Sequence, residues 1–293
     1  MPESSPAPSP EEITSPPLAL DAVEGPSVKR DQMPRRMVFV RHGESEANII
    51  NRMFKKGEIS EYPAVFLNTP DREIRLTASG RMQASATGPW LAAHYPNGFD
   101  KHFVSDHARA METAGIALSA AGWNDVELLG DPLLGERCWG SFSLEPEERR
   151  RALMELRHRD PLQMAMPNGE LLLTARHRTR EMLERASRKF AGKDILIITH
   201  GEYIEAIWSE IAHWGTEQQV EFFGSEDGDL KNCQVVEFAA ENPFTGEWDG
   251  SIRWYRSSCP QAGILGEWKP LPRTKYTPED LLESVQKYPH FLE

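Results

Sequence analysis

The segment Met37-Val38-Phe39-Val40-Arg41-His42-Gly43-Glu44-Ser45-Glu46-Ala47-Asn48 constrains the chain most. A short apolar run without alternation ends abruptly in Arg-His-Gly, and a helix-competent stretch follows. That order reads as a buried strand, a tight turn and a helix start. In an open α/β sheet, ligands bind in the crevice beyond the carboxyl ends of such strands. Amides at a helix start favour an anion, and Arg41 adds a fixed positive charge beside them. His42 is the one side chain of the run able to serve as nucleophile or proton carrier near neutral pH. The pattern asks for an anion of the phosphate kind.

A His after a strand is, by itself, an ordinary turn residue. Three later segments supply what such a site lacks. Val104-Ser105-Asp106-His107-Ala108-Arg109-Ala110-Met111-Glu112-Thr113-Ala114 is a second strand end, opening a helix that carries an Arg. Leu134-Gly135-Glu136-Arg137-Cys138-Trp139-Gly140 is a loop bearing a carboxylate. Ile195-Leu196-Ile197-Ile198-Thr199-His200-Gly201 is apolar without alternation, as a strand covered on both faces should be, and ends in His-Gly. Strands alternating with helices imply right-handed crossovers and a mostly parallel sheet, so these strand ends open on one rim.

In this order the four segments resemble the histidine phosphatase superfamily, in the branch that includes cofactor-dependent phosphoglycerate mutases. The resemblance runs from about residue 36 to about residue 240. It implies an α/β three-layer sandwich, a mostly parallel sheet flanked by helices, of the phosphoglycerate mutase-like kind. It also implies that His42 accepts a phosphoryl group, which water then removes. Arg41, Arg109 and His200 are the expected holders of the phosphate oxygens, and Asn48 matches a further position that touches the phosphate. Like-charge repulsion from Arg41 and Arg109 favours neutral His42, the form that can attack. Glu136 is the expected general acid for a poor alkoxide leaving group, and Trp139-Gly140 match the aromatic-glycine pair that follows that acid. The expected catalytic residues are therefore His42, Glu136 and His200, and the expected phosphate-binding residues Arg41, Asn48 and Arg109. Pro167-Asn168-Gly169-Glu170 resembles a turn whose Glu caps a helix or pairs with an Arg near the site. Glu44 is expected to buttress an Arg, and His107 to lie on the pocket rim.

Two departures bear on the substrate. Phosphoglycerate mutases carry a Gly-Trp pair after the first motif and a lysine-containing stretch after the acid loop. This chain has Phe54 to Pro70 in the first place, and Ser141-Phe142-Ser143-Leu144 in the second. A phosphomonoesterase acting on a phosphorylated small molecule is the expectation. Mutase-type phosphotransfer, and a binding module that recognises phosphorylated ligands without turnover, stand as alternatives. No sequence cluster has metal-ligand spacing, and the flanking Arg charges oppose a cation at His42 or His200, so neither a metal nor another cofactor is expected.

The remaining sequence sets the surroundings. A formal net charge of -12 argues against nucleic acid as a partner. No apolar run approaches the ~20 residues a membrane helix needs, so no membrane partner is expected. Cys138, Cys233 and Cys259 are an odd, widely spaced trio that suits reduced thiols, and a cytoplasmic location is expected. Nothing in the sequence fixes an oligomeric state. Residues 1–34, rich in Pro, Ser and Glu, cannot bury enough surface to offset their ordering entropy and are expected to be a disordered tail. The catalytic domain is expected over 35–259 and a loop-rich extension over 260–293, with a short helix from Pro278 to Gln286. Residues 53–72, punctuated by Gly57, Pro63, Asn68 and Pro70, read as a structureless loop placed to be a lid. The Arg-rich stretch 145–190 reads as helical, either a solvated face with internal pairing or an electropositive approach for anions. Residues 232–238 and 252–255 read as a hairpin at the sheet edge.

Overall fold

Strand β1 (Arg36–Arg41) sends alternate side chains into two separate cores, which is why its apolar run shows no alternation. Met37 and Phe39 join one cluster with Trp208 and Phe238, while Val38 and Val40 join another with Trp90, Leu91 and Leu118. A computed structural model describes residues 32–225, 227–273 and 275–291. The expected tail over 1–34 falls outside these, except for its last three residues. Of those, Met33 already bonds to Gly250 and accepts from Trp248.

The other strands are β2 (Lys101–Val104), β3 (Leu128–Gly130), β4 (Asp194–Thr199), β5 (Val235–Ala239), β6 (Trp254–Ser258) and β7 (Lys269–Pro270). They lie in one sheet in the order β3-β2-β4-β1-β5-β6-β7. β3, β2, β4 and β1 run parallel, in register Phe103↔Ile197 and Phe39↔Ile197. β5, β6 and β7 are antiparallel additions, so the sheet is mixed: a parallel half carries the site, and the expected hairpin occupies the other side. β7, from the stretch read as an extension, pairs with β6.

The described helices are α1 (Glu46–Lys55), α2 (Ala64–Leu67), α3 (Ala78–His94), α4 (Ala108–Ala120), α5 (Glu147–Arg159), α6 (Leu172–Lys189), α7 (Gly201–Ala212), α8 (Thr216–Phe223) and α9 (Pro278–Val285). Thr77 caps α3 by accepting from the Gly80 amide, as its position before the apolar repeat suggests. The 53–72 stretch is not structureless. α1 runs on to Lys55, α2 follows, and Asp71–Glu73 form a 3-10 turn. The cause is aromatic: Phe54, Tyr62 and Phe66 stack in a ladder with centroid spacings of 4.8 and 5.6 Å, and Arg150 of α5 caps it, 4.2 Å from the Phe54 ring. No helix among the described residues is long and apolar enough to cross a membrane.

Candidate functional site

The parallel strands deliver the site residues at their carboxyl ends. Arg41 closes β1, Ser105 follows β2, and His200 follows β4 at the start of α7. Close backbone approach holds them there. Gly43 faces Gly80 of α3, where a Cβ would meet the Gly80 carbonyl oxygen at 2.5 Å, so the loop tolerates no side chain. A Cβ at Gly201 would likewise press on Arg41 Nε at 3.3 Å.

His42 is 2 % exposed, and its ring lies edge-on to His200 at 5.1 Å. His42 Nδ1 is 2.7 Å from the Gly43 carbonyl. A carbonyl only accepts, so Nδ1 carries the proton and Nε2 keeps its lone pair. Burial, then the charges of Arg109 and Arg41, hold the imidazole well below its ordinary range, which keeps it neutral. His200 is depressed by burial and by Arg109 in the same way. Its Nε2 lies 2.8 Å from the Ser105 hydroxyl, and that hydroxyl also lies 3.2 Å from His107 Nδ1. His107 packs its ring 4.7 Å from His200.

Arg41 reaches back to the Leu230 carbonyl through Nη1, and its Nε is buried without a partner among the described residues. Arg109 is 3 % exposed and bonds to Asp71 through both terminal nitrogens. Asn48 is the third residue of α1 and forms a capping box with Ser45. Its Oδ1 accepts from Ser45 N and from Asn232 Nδ2, which also donates to the His42 carbonyl at 3.1 Å. Any contact of Asn48 with a phosphate therefore falls to its Nδ2. Glu44 does pair with an Arg, at 3.0 Å from Arg52.

Glu136 sits on a loop pinned from several sides. Arg178 of α6 donates to the carbonyls of Leu133 and Gly135, and Thr199 to that of Leu134. Arg178 is itself held by Glu170, both oxygens at 2.9 Å, so the Pro167–Glu170 turn serves as its resemblance suggested. Burial and the neighbouring Glu202 push the Glu136 carboxyl up to about 7, against Arg109, Arg41 and the Arg137 amide. Glu202 anchors a second layer: it accepts from Trp139 Nε1 at 3.1 Å and from Arg157 at 2.6 Å.

The stretch 145–190 folds mainly as a paired face. Arg149 and Arg151 meet Glu145 and Glu147, Arg176 and Arg180 meet Glu210, and Arg157 meets Glu202. The sequence showed no metal cluster, yet the fold makes one in form: donor atoms of His42, Glu136 and His200 lie within 4.8 Å of one another. Two imidazoles and a carboxylate suit zinc by type, but the guanidinium charges of Arg41 and Arg109 that act on the same groups oppose a cation there.

Of the expected residues, the structure brings His42, Glu136, His200, Arg41 and Arg109 to one place, with Asn48 one step behind. Sequence reasoning assigned no role to Asp71, Ser105, Arg178 or Asn232. Ser105 carried a faint signal, a small polar residue directly after an apolar strand. The others meet their partners only in space.

A buried histidine with its Nε2 lone pair free, under the charges of two arginines, stands at the carboxyl rim of the parallel half of an α/β sheet. The family model described as histidine phosphatase superfamily (branch 1) matches residues 37–243, and the chain belongs to that superfamily. A 2,3-bisphosphoglycerate-dependent phosphoglycerate mutase 2 of Gloeobacter violaceus is 32% identical over 208 residues, covering 69% of this chain and 84% of that protein. The phosphoglycerate mutase of Mesorhizobium japonicum is 30% identical over 60% of this chain and 80% of its own. Among solved structures, a mycobacterial glucosyl-3-phosphoglycerate phosphatase superposes with a TM-score of 0.55 at 19% identity, covering 76% and 95% of the two chains. A putative alpha-ribazole-5'-P phosphatase of Escherichia coli superposes at 0.53 and 18%, covering 83% and 100%. These structural likenesses establish the fold.

Proposed function

We propose that the protein is a phosphomonoesterase that works through phosphohistidine on a phosphorylated small molecule. The arrangement that carries this reading is His42 held through Nδ1 by the Gly43 carbonyl, which leaves Nε2 free to attack, within 4.8 Å of a carboxyl that burial and Glu202 raise to about 7. His42 Nε2 attacks phosphorus, the P–O bond to the leaving group breaks, and the Glu136 proton passes to the departing oxygen. Arg41, Arg109 and His200 stabilise charge on the equatorial oxygens, which is electrostatic preorganisation rather than covalent chemistry. Glu136, now a carboxylate, takes a proton from water as that water attacks phosphohistidine. The N–P bond breaks, and phosphate leaves with His42 and Glu136 restored.

Mutase-type transfer is the second reading, favoured by the likeness to the phosphoglycerate mutases of Gloeobacter violaceus and Mesorhizobium japonicum. Against it, the place of the mutases' Gly-Trp pair is filled by the Phe54-Tyr62-Phe66 ladder, and Arg150 is engaged in stacking on it. The test is a rapid quench with labelled aryl phosphate in the presence of chelator. Acid-labile, base-stable phosphate is expected on the wild type and absent from His42→Ala. Acid-stable phosphate on another residue overturns the assignment.

A further inference from the structure

We propose that Asp71 is a positioning residue for Arg109, gripping one end of its guanidinium so that the other edge is presented to the substrate phosphate. The inference rests on the phosphate-binding reading above. A guanidinium has five N–H donors fixed in one plane. Asp71 engages its end: the backbone carbonyl and Oδ1 accept from Nη1 at 2.7 and 3.3 Å, and Oδ2 accepts from Nη2 at 2.9 Å. Nε–H and the second Nη2 hydrogen remain, and they lie on one edge with the spacing of two phosphate oxygens. No hydrogen bond from that edge to a described residue is formed. The Arg109 charge also acts on both His42 and His200, so it lies within electrostatic reach of the two imidazoles.

The grip is built rather than incidental. Asp71 begins a 3-10 turn capped by Pro70, and the chain then buries Ile74 and Leu76. The Leu76 amide donates to Glu112 Oε2 at 2.8 Å, and Arg75 pairs with the same carboxylate. Glu112 lies one turn after Arg109 on α4, so a single helix face fixes both Asp71 and the Arg it holds. His107 adds a second hold, its Nε2 3.3 Å from Asp71 Oδ2. Partial burial of Asp71 alone would raise its pKa, but the His107 bond and the Arg109 charge outweigh that and keep it ionised. Asp71 thus ties the end of the 53–72 segment to Arg109, while the aromatic ladder ties its start to Arg150 of α5.

The test is a double-mutant cycle on Asp71→Ala and Arg109→Ala, read as kcat/KM for nitrophenyl phosphate, with inorganic phosphate as competing inhibitor. Asp71→Ala should lower kcat/KM about tenfold and weaken phosphate inhibition, the size expected when a charge-assisted bond loses its orientation. In the Arg109→Ala background the same change should cost little, because nothing is left to orient. Asp71→Asn, which keeps the side-chain volume, should follow Asp71→Ala and guards against a folding artefact. Tighter phosphate inhibition in Asp71→Ala overturns the proposal, since Asp71 is then a competitor for Arg109. An equal tenfold loss in both backgrounds overturns it as well, since the effect is then general loosening. Arg109→Ala with unchanged kcat/KM and phosphate inhibition overturns the phosphate-site reading itself, and the role of Asp71 with it.

Discussion

Glu170 and Arg178 meet in a two-armed ion pair, 2.9 Å on each arm, and the same guanidinium holds the carbonyls of Leu133 and Gly135 that lead into Glu136. A planar fork used this way fixes direction as well as distance. The pair therefore fixes the loop from which the proposed acid projects.

On this account Arg178→Lys should lower kcat on an alkyl phosphate by roughly 10–100-fold while KM changes little, because an ångström of misplacement weakens proton delivery more than phosphate binding. Nitrophenyl phosphate, which hardly needs the proton, should lose much less. Steady-state kinetics on both substrates decide it: equal losses would mean that Arg178 supports the fold and not the acid.

The pH profile follows from the opposed shifts of the two groups. His42 is held well below its ordinary range, so it stays neutral until pH falls far under 6.5. Glu136, lifted to about 7 by burial and Glu202, loses its proton as pH rises through that value. kcat/KM for an alkyl phosphate should therefore decline on the alkaline side with a midpoint near pH 7, and Glu136→Gln should lack that limb. Stability carries the same sign. A carboxyl raised above its ordinary 4.5 contributes stability below that value, and the contribution is lost as pH rises through its folded pKa. Melting temperatures of wild type and Glu136→Gln should then converge near pH 4 and separate above pH 7, with the variant higher. A variant that melts lower at pH 8 contradicts the raised carboxyl.

The sequence made the strand-end residues legible because buried strands punctuate themselves. Apolar runs stop at Arg41-His42-Gly43 and Thr199-His200-Gly201, and in a parallel sheet such stops share a rim. Glu136 was legible through the Trp139-Gly140 pair beside it. What stayed hidden depends on separation along the chain. Asp71 grips an Arg 38 residues later, Ser105 meets a His 95 residues later, and Asn232 returns 190 residues to the His42 carbonyl. No local period encodes such contacts. The 53–72 stretch misled for a related reason: Gly57, Pro63 and Pro70 are loop signals, but the ordering comes from Phe54, Tyr62 and Phe66 stacking across them.

Glu136→Gln should slow alkyl phosphates far more than nitrophenyl phosphate. The leaving group makes the difference. An alkoxide needs a proton as the P–O bond breaks, whereas nitrophenolate departs almost unaided. Gln keeps the size of Glu136 and can still accept from the Arg137 amide, which lies 3.1 Å from Oε1, so the loop should hold its course. It has no proton to give. The comparison belongs in kcat/KM, which reports steps up to the first irreversible one, here formation of phosphohistidine. The water-activating role falls in the second step and leaves that ratio untouched. An alkyl substrate should lose roughly 10²-fold or more, near the lower end of the range for general acid catalysis. Nitrophenyl phosphate should lose only a few-fold in the same variant. If both fall by one factor, Glu136 shapes the pocket and the proton comes from elsewhere. His107, whose ring lies 4.7 Å from His200 and whose Nε2 is 3.3 Å from Asp71, is then the residue to test.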